Sequence, residues 1–439
     1  MRSGSPGQGR GRAAVLSGAL LLGLAGGAAV AQEGASAPPE RRYEVLFDAR
    51  ILPTERAARV TIRLGEGASL VRRILLRVDP ERHVDWSGDG EISIEGDEVS
   101  WAPPRGGGRL EYFFRIDHLR TSSGYDARCA ESWALFRGGD MFPPARVRAV
   151  VGAHSRSRLR LRVPDGWSVA VPYARRGSFF EVENPNRRFD RPTGWMAAGR
   201  LGVVRERIAG VRVAVAGPVG QGVRRHDMLA LLRWTLPALR DAIGELPDRL
   251  LVVGAGDPMW RGGLSGPRSV FVHADRPLIS VDMSSPLLHE IVHAAMSVRS
   301  GKGGDWIVEG LAELYSLEML VRSRTMSRRR FDKVLRRLAD KGRGVVRLDV
   351  AESSGPVTAR AATLLHDLDG AIAKATDGAA GLDEVLARLA RRREPVTPEL
   401  LRNVASEVAG RDLDGFLRSR AGAPLTRRPS SARGTQATR

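Results

Sequence analysis

Residues 285–293 read Ser285-Pro286-Leu287-Leu288-His289-Glu290-Ile291-Val292-His293. Residues four apart on a helix share a face, so His289 and His293 present both imidazoles to the same point and can bind one metal ion. Glu290 is the next residue round, placed to face a metal-bound water and take its proton. The surroundings predict a helix. Ser285 suits the N-cap, Pro286 the first helical position, and Leu287, Leu288, Ile291 and Val292 a buried face. By composition alone such an HExxH pattern arises in a chain of this size with a probability on the order of 1%.

A second segment strengthens the reading. A glycine-rich loop over residues 300–304 leads into Asp305-Trp306-Ile307-Val308-Glu309-Gly310-Leu311-Ala312-Glu313-Leu314-Tyr315, the start of a second helix. Glu309 on its first turns can complete a His2Glu zinc site that leaves one position for water, as catalytic sites do. Glu313, one turn further, shares that face and can accept the remaining ring N–H of His289, fixing its tautomer. A lone histidine on an apolar helix is ordinarily a packed core residue. Two histidines, an adjacent glutamate and a downstream glutamate together favour the metal. Trp306 and Tyr315 read as core aromatics.

Outward from this pair of helices the chain divides by periodicity. From residue 43 to 217 the period is two. Val60, Ile62 and Leu64 alternate with polar neighbours, residues 158–163 alternate strictly, and Val211, Val213 and Val215 repeat the pattern. This predicts an N-terminal antiparallel β-sandwich-like domain. Residues 218–420 form the expected catalytic domain. It opens with a helix near residues 226–243 and two short strands near 249–253 and 270–273, and is mainly α-helical from residue 285 onward. The whole is a multidomain α+β protein.

The termini read differently. Residues 1–31 carry Arg2, Arg10 and Arg12 before an apolar run that ends Ala29-Val30-Ala31, the pattern of a cleaved signal peptide. An uncleaved anchor is the rival, since the run is just long enough to span a bilayer. Its Gly/Ala content and small-x-small end favour cleavage, export, and a periplasmic or secreted product with no later membrane span. Residues 32–42 are a polar linker, and residues 421–439 a basic, disordered tail.

Composition narrows the function classes. The 439 residues carry 69 Lys+Arg against 50 Asp+Glu, a net charge of +19. Only four are lysines, so the charge reflects arginine-rich coding, and it is scattered along the chain. No nucleic-acid partner is expected. The single cysteine, Cys129, excludes disulfide frameworks, Cys-based zinc fingers and iron–sulfur clusters, and reads as a small buried hydrophobe. Asp85-x-Ser87-x-Asp89-Gly90 is similar to half of a calcium loop, but its twelfth position is Gly96; a hairpin turn at Asp89-Gly90 is expected instead. The arginine-rich residues 322–337 read as a solvated helix face.

His289–His293 followed by Trp306-x-x-Glu309-Gly310-Leu311-Ala312-Glu313 resembles the gluzincin metallopeptidases, most of all the glycyl-aminopeptidase family. The resemblance covers about residues 250–320, with a weaker likeness through residues 360–389. It implies a β domain followed by a thermolysin-like catalytic domain, Zn2+ as cofactor, and peptides or proteins as substrates. It also implies His289, His293 and Glu309 as zinc ligands and Glu290 as general base. Two departures stand out. Related aminopeptidases use a Tyr on a later helix to donate to the oxyanion, and this chain has no Tyr after Tyr315. Thr358, Arg360 and His366 lie near the expected place, His366 being the best donor chemically and a structural helix histidine its alternative. Many gluzincin aminopeptidases also have a Gly-x-Met-Glu-Asn segment whose Glu binds the substrate amine. Residues 259–266 hold no Glu, so endopeptidase-like or broad cleavage is expected, with Asp257 the nearest acid. A zinc-binding but catalytically inactive cell-envelope protein is the alternative function, and a basic module for anionic polymer or lipid a third.

Overall fold

The computed structural model describes residues 41–183, 188–392 and 394–421. The expected signal peptide and nearly all of the linker and tail lie outside these residues.

Alternation builds the N-terminal part as three sheets. The largest has seven strands, ordered Ala174–Arg176, Phe179–Val182, His154–Arg162, Arg42–Leu52, Ala57–Leu64, Gly108–Arg115 and His83–Gly88. Its pairings are antiparallel except one. Arg42–Leu52 runs parallel to His154–Arg162, so the sheet is mixed where an antiparallel one is expected. A four-stranded sheet (Ala145–Ala149, Val71–Arg77, Glu98–Ala102, Glu91–Glu95) shares its apolar core, with Phe47, Trp101, Tyr112 and Phe114 among the buried residues. Asp89-Gly90 is a turn, but it joins strands of these two different sheets and so is a corner rather than a hairpin. The Asp89 carboxylate accepts the Arg109 N–H at 3.0 Å. Cys129 is fully buried, and burial pushes its thiol up to about 12.

The third N-terminal sheet contains Trp133–Arg137 and Trp195–Gly199 and packs on a fourth sheet, a mixed one of five strands. In order these are Leu201–Ile208, Val211–Pro218, Arg249–Ala255, Ser269–His273 and Gly263–Gly266. Period-two alternation splits the side chains between two cores. Val213, Val215, Leu250, Val252, Val270 and Val272 face the helices. Ala216, Leu251, Val253, Ala255 and Phe271 face Trp133, Leu135 and Trp195 of the other sheet. A sheet covered on both faces reads as a continuous apolar run, which is why residues 250–253 (Leu-Leu-Val-Val) show no alternation. The strands Leu201–Ile208 and Val211–Pro218 thus belong to the sheet of the catalytic part. Their period marks them as strands but carries no information on which sheet they join.

Seven of the helices follow from residue 286 in the expected region: Pro286–Met296, Asp305–Arg322, Arg328–Gly342, Pro356–Ala375, Leu382–Arg391, Pro398–Ala409 and Asp414–Ala421. Another, Arg225–Ile243, packs on the mixed sheet and keeps Pro237 inside it. No helix among the described residues is long and apolar enough to cross a membrane.

The tightest helix contact runs through Gly310. A Cβ there would lie 2.7 Å from Ala361 Cβ and 2.9 Å from Leu365 Cδ1. Gly310→Val should therefore force Asp305–Arg322 away from Pro356–Ala375 and cost about 1–3 kcal/mol, read as a lower midpoint in denaturant unfolding. An unchanged midpoint would show that the two helices can part freely.

Candidate metal centre

The helix Pro286–Met296 starts as its sequence requires. Ser285 Oγ accepts the Leu288 N–H at 3.2 Å, and Pro286 fills the first position. Leu287, Leu288, Ile291 and Val292 are buried, which turns His289 and His293 toward the helix Asp305–Arg322. His293 Nε2 lies 3.1 Å from His289 Nε2. Glu309 brings Oε2 to 3.3 Å from His289 Nε2 and Oε1 to 3.3 Å from His293 Nε2. Ligand atoms around a tetrahedral ion with bonds of about 2.0–2.1 Å lie ~3.3 Å apart. The three side chains therefore converge at a spacing suited to one metal ion, one ligand atom of each lying within 4.8 Å of the others. Glu313 Oε2 lies 3.3 Å from His289 Nδ1, on the ring's other side.

Electrostatics report the same convergence. Burial acts to lower the His289 pKa, but hydrogen bonds to Glu309 and Glu313 outweigh it and raise the pKa to about 10. Burial acts to raise that of Glu309, and the two histidines bring it down to about 2. A proton is thus held where a cation fits.

These side chains line a cleft of about 420 Å³. Glu290 is in it, against the edge strand Gly263–Gly266, where a Cβ on Gly263 would meet Glu290 Cγ at 2.8 Å. Leu264 and Ser265 of that strand form one wall. Val298, Arg299, Ser300, Asp305 and Val308 form the other side. The loop carrying Arg299 is pinned by backbone bonds to the far segment at Val396: Gly301 N–H to Val396 O at 2.7 Å and Val396 N–H to Arg299 O at 2.8 Å.

His366 is not brought to the cleft. Its ring packs edge-on against Phe331 at 5.7 Å between centroids. The helix phase explains this, because Ala361 and Leu365 take the face toward Gly310 and leave His366 on the side of Arg328–Gly342. Thr358 and Arg360 do not line the cleft either. Asp257 is also elsewhere, its carboxylate held by Arg261, with Asp275 and the buried His273 beside them. That cluster has its cation in the Arg261 guanidinium. Trp306 and Tyr315 are core residues, and the Tyr315 hydroxyl donates to Asp383 Oδ1 at 2.7 Å. The cleft residues Arg299, Ser300 and Asp305 were missed as site residues. Their position directly between the two motif segments is the signal that could have found them.

The fold has solved counterparts. The M1 zinc metallopeptidase from Deinococcus radiodurans matches with a TM-score of 0.57 over 90% of this chain and 96% of that one, at 16% identity. This chain has the fold of the M1 zinc metallopeptidases. An aminopeptidase N family protein from Idiomarina loihiensis matches with a TM-score of 0.64 at 13% identity, over 85% of this chain and 75% of that one. A variant of a two-domain M1 zinc metallopeptidase bound to L-tryptophan gives 0.59 at 15% identity, over 88% and 95%. The likeness agrees with the broader gluzincin resemblance, and nothing in it singles out the glycyl-aminopeptidases. No family model matches the sequence, and no curated protein does.

Metal binding should release protons. Imidazole binds a metal in its neutral form, and His289 holds its proton up to about pH 10 without one. Affinity for a divalent ion should accordingly rise with pH between about 6 and 8. Calorimetry of zinc binding in buffers of different ionisation enthalpy reads the proton count directly. A pH-independent affinity with no proton released would contradict the ligand set.

Proposed function

We propose that the chain is an exported zinc-dependent metallopeptidase of gluzincin type, with His289, His293 and Glu309 as zinc ligands. The observation that carries this reading is the convergence of His289, His293 and Glu309, with each imidazole Nε2 3.3 Å from a Glu309 oxygen and 3.1 Å from the other imidazole's Nε2, in a cleft that also holds Glu290. The M1 fold supports it, and the signal-peptide pattern of residues 1–31 supports export. We read the helical part as thermolysin-like because the motif helix lies under a sheet edge. Bound zinc would lower the pKa of water and polarise the scissile carbonyl.

The chain's own residues supply the rest. Gly263–Gly266 pairs on one side with Ser269–His273 and is the outermost strand of its sheet. An extended peptide can add to its other edge, which sets the substrate carbonyl by backbone bonds alone. Glu290 takes the proton of the attacking water and passes it to the departing nitrogen as the C–N bond breaks. Glu313 orients His289 through Nδ1. His366 leaves the oxyanion role, and the hydroxyls within the cleft are those of Ser265 and Ser300.

Glu290→Gln should lower peptide hydrolysis by about 10²–10⁴-fold with zinc content and circular dichroism unchanged, because the amide keeps the shape but cannot accept a proton. Glu309→Ala should instead lower zinc occupancy, since it leaves two protein ligands. Stoichiometric zinc in the wild type with no peptide of a library cleaved would favour the catalytically silent alternative.

We also read the cleavage as endopeptidase-like or broad. An exopeptidase must pair the substrate's ammonium group, and a buried unpaired one is costly. Residues 261–268 contribute Leu264 and Ser265 to the cleft and no acid, and Asp257 is engaged by Arg261. One peptide with a free and with an acetylated N-terminus should be cleaved at comparable rates. If acetylation abolishes cleavage, and Asp305→Asn does the same, the enzyme is an aminopeptidase with Asp305 as the amine's partner.

A further inference from the structure

A second cavity lies apart from the metal centre. Its volume is about 540 Å³, and it runs between the helix Arg328–Gly342 and the loop at Val281 and Met283. Five cations line it: Arg329, Arg330, Lys333, Arg336 and Arg337. No acidic residue is among its lining residues.

Some surface arginines are ion-paired, Arg233 with Glu206 and Arg322 with Glu318 and Asp383 among them, and others such as Arg59, Arg63 and Arg146 make no ion pair among the described residues. What sets these five cations apart is that they converge on one cavity whose lining holds no acid. On this same helix Arg328 lies 3.7 Å from Glu318. The five cavity cations make no ion pair among the described residues. Among the described residues the one hydrogen bond from their side chains is Arg330 Nη2 to the Val281 carbonyl at 3.4 Å. The helix's buried side is Phe331, Val334 and Leu335, so the cations hold the opposite stripe. Within the stripe, 329/333, 330/333, 333/336 and 333/337 are like-charged neighbours at three- and four-residue spacing, and each repels. Asp332 stands at three- and four-residue spacing from Arg329 and Arg336 and relieves that edge of the stripe, and Asp282 in the facing loop, hydrogen-bonded by Ser280 and Ser284, keeps its charge. Arg330, Lys333 and Arg337, on the side away from Asp332, are left repelling one another beside an open cavity, an arrangement that a bound polyanion would relieve.

We propose that this groove binds an anion carrying two or more phosphate groups. Two features select phosphate over a single carboxylate. The donors are four guanidiniums and one ammonium, which suit many acceptor oxygens at once. The volume also exceeds what one carboxylate fills. The phosphates can come from a soluble polyphosphate or from the headgroups of an anionic lipid surface. Val281 stands 93% exposed at the rim.

The test uses tripolyphosphate as the soluble probe, titrated into the full chain by calorimetry at about 50 mM salt. Phosphatidylcholine vesicles with and without phosphatidylglycerol form the second arm. Tripolyphosphate should bind, and the affinity should fall about tenfold or more in K333E/R337E and again on raising salt. R329Q/R336Q provides a milder pair should charge reversal disturb the helix, which circular dichroism reports. R59E/R63E, an equal charge change on exposed positions of the seven-stranded sheet, should leave binding intact. Binding to phosphatidylglycerol vesicles but not to tripolyphosphate, lost in the same variants, would support the site and assign its source to lipid. Wild type that binds neither probe, or folded cavity variants that bind as tightly as wild type, would overturn it.

Discussion

The molecule is organised by a mixed sheet that must bury both of its faces. Its side chains alternate between the helical core and the N-terminal sheet through Val252 and Val253, Val270 and Phe271. Neither neighbour can be removed without exposing apolar strand surface to water. What escapes this double cover is the edge. Gly263–Gly266 ends the sheet, and the motif helix packs under that edge, so Glu290 meets the strand where a side chain would collide with it. The acid–base group and the strand able to take a peptide are therefore positioned by one packing solution.

The metal centre is assembled against its own electrostatics. Two imidazoles and a carboxylate are held at ligand spacing by two separate helices, and the return helix is backed by Pro356–Ala375, which the absence of a side chain at Gly310 lets come close. Without a cation the cluster has to keep a proton, which is why His289 and Glu309 move in opposite directions. Preformed spacing means that little reorganisation accompanies ion binding. The cost is carried by the fold, in packing that tolerates no added methyl group.

How far this was legible depended on the range of the interactions. The HExxH helix and its Ser285 cap are set by periodicity and capping within a few residues, and the same periodicity puts Glu309 and Glu313 on one face of the next helix; that this face returns to the histidines is a tertiary contact which the 16-residue spacing permits. The strand character of residues 201–218 was equally local, but their sheet was not, because alternation is the same whichever partner a strand finds. The parallel pairing of Arg42–Leu52 with His154–Arg162 joins segments more than a hundred residues apart and leaves no local mark. His366 shows a subtler limit. Its chemistry suited a donor, yet a rotation of one residue along the helix, set by Leu365 packing on Gly310, sends it to Phe331. Arg299 and Asp305 became site residues only when a cleft closed around them.

The pinning of the cleft's loop at Val396 has a consequence in time as well as space. Gly301 and Gly304 lie against the Val396 carbonyl so closely that a side chain at Gly304 would overlap it. The ribosome makes that partner almost a hundred residues after the loop itself. A nascent chain can already contain both histidines and Glu309, and even the helices that bear them, while the rim that carries Arg299 still lacks its anchor. Closing so long a loop is also among the entropically slower steps of folding. Assembly of the complete cleft thereby waits until synthesis has passed residue 396.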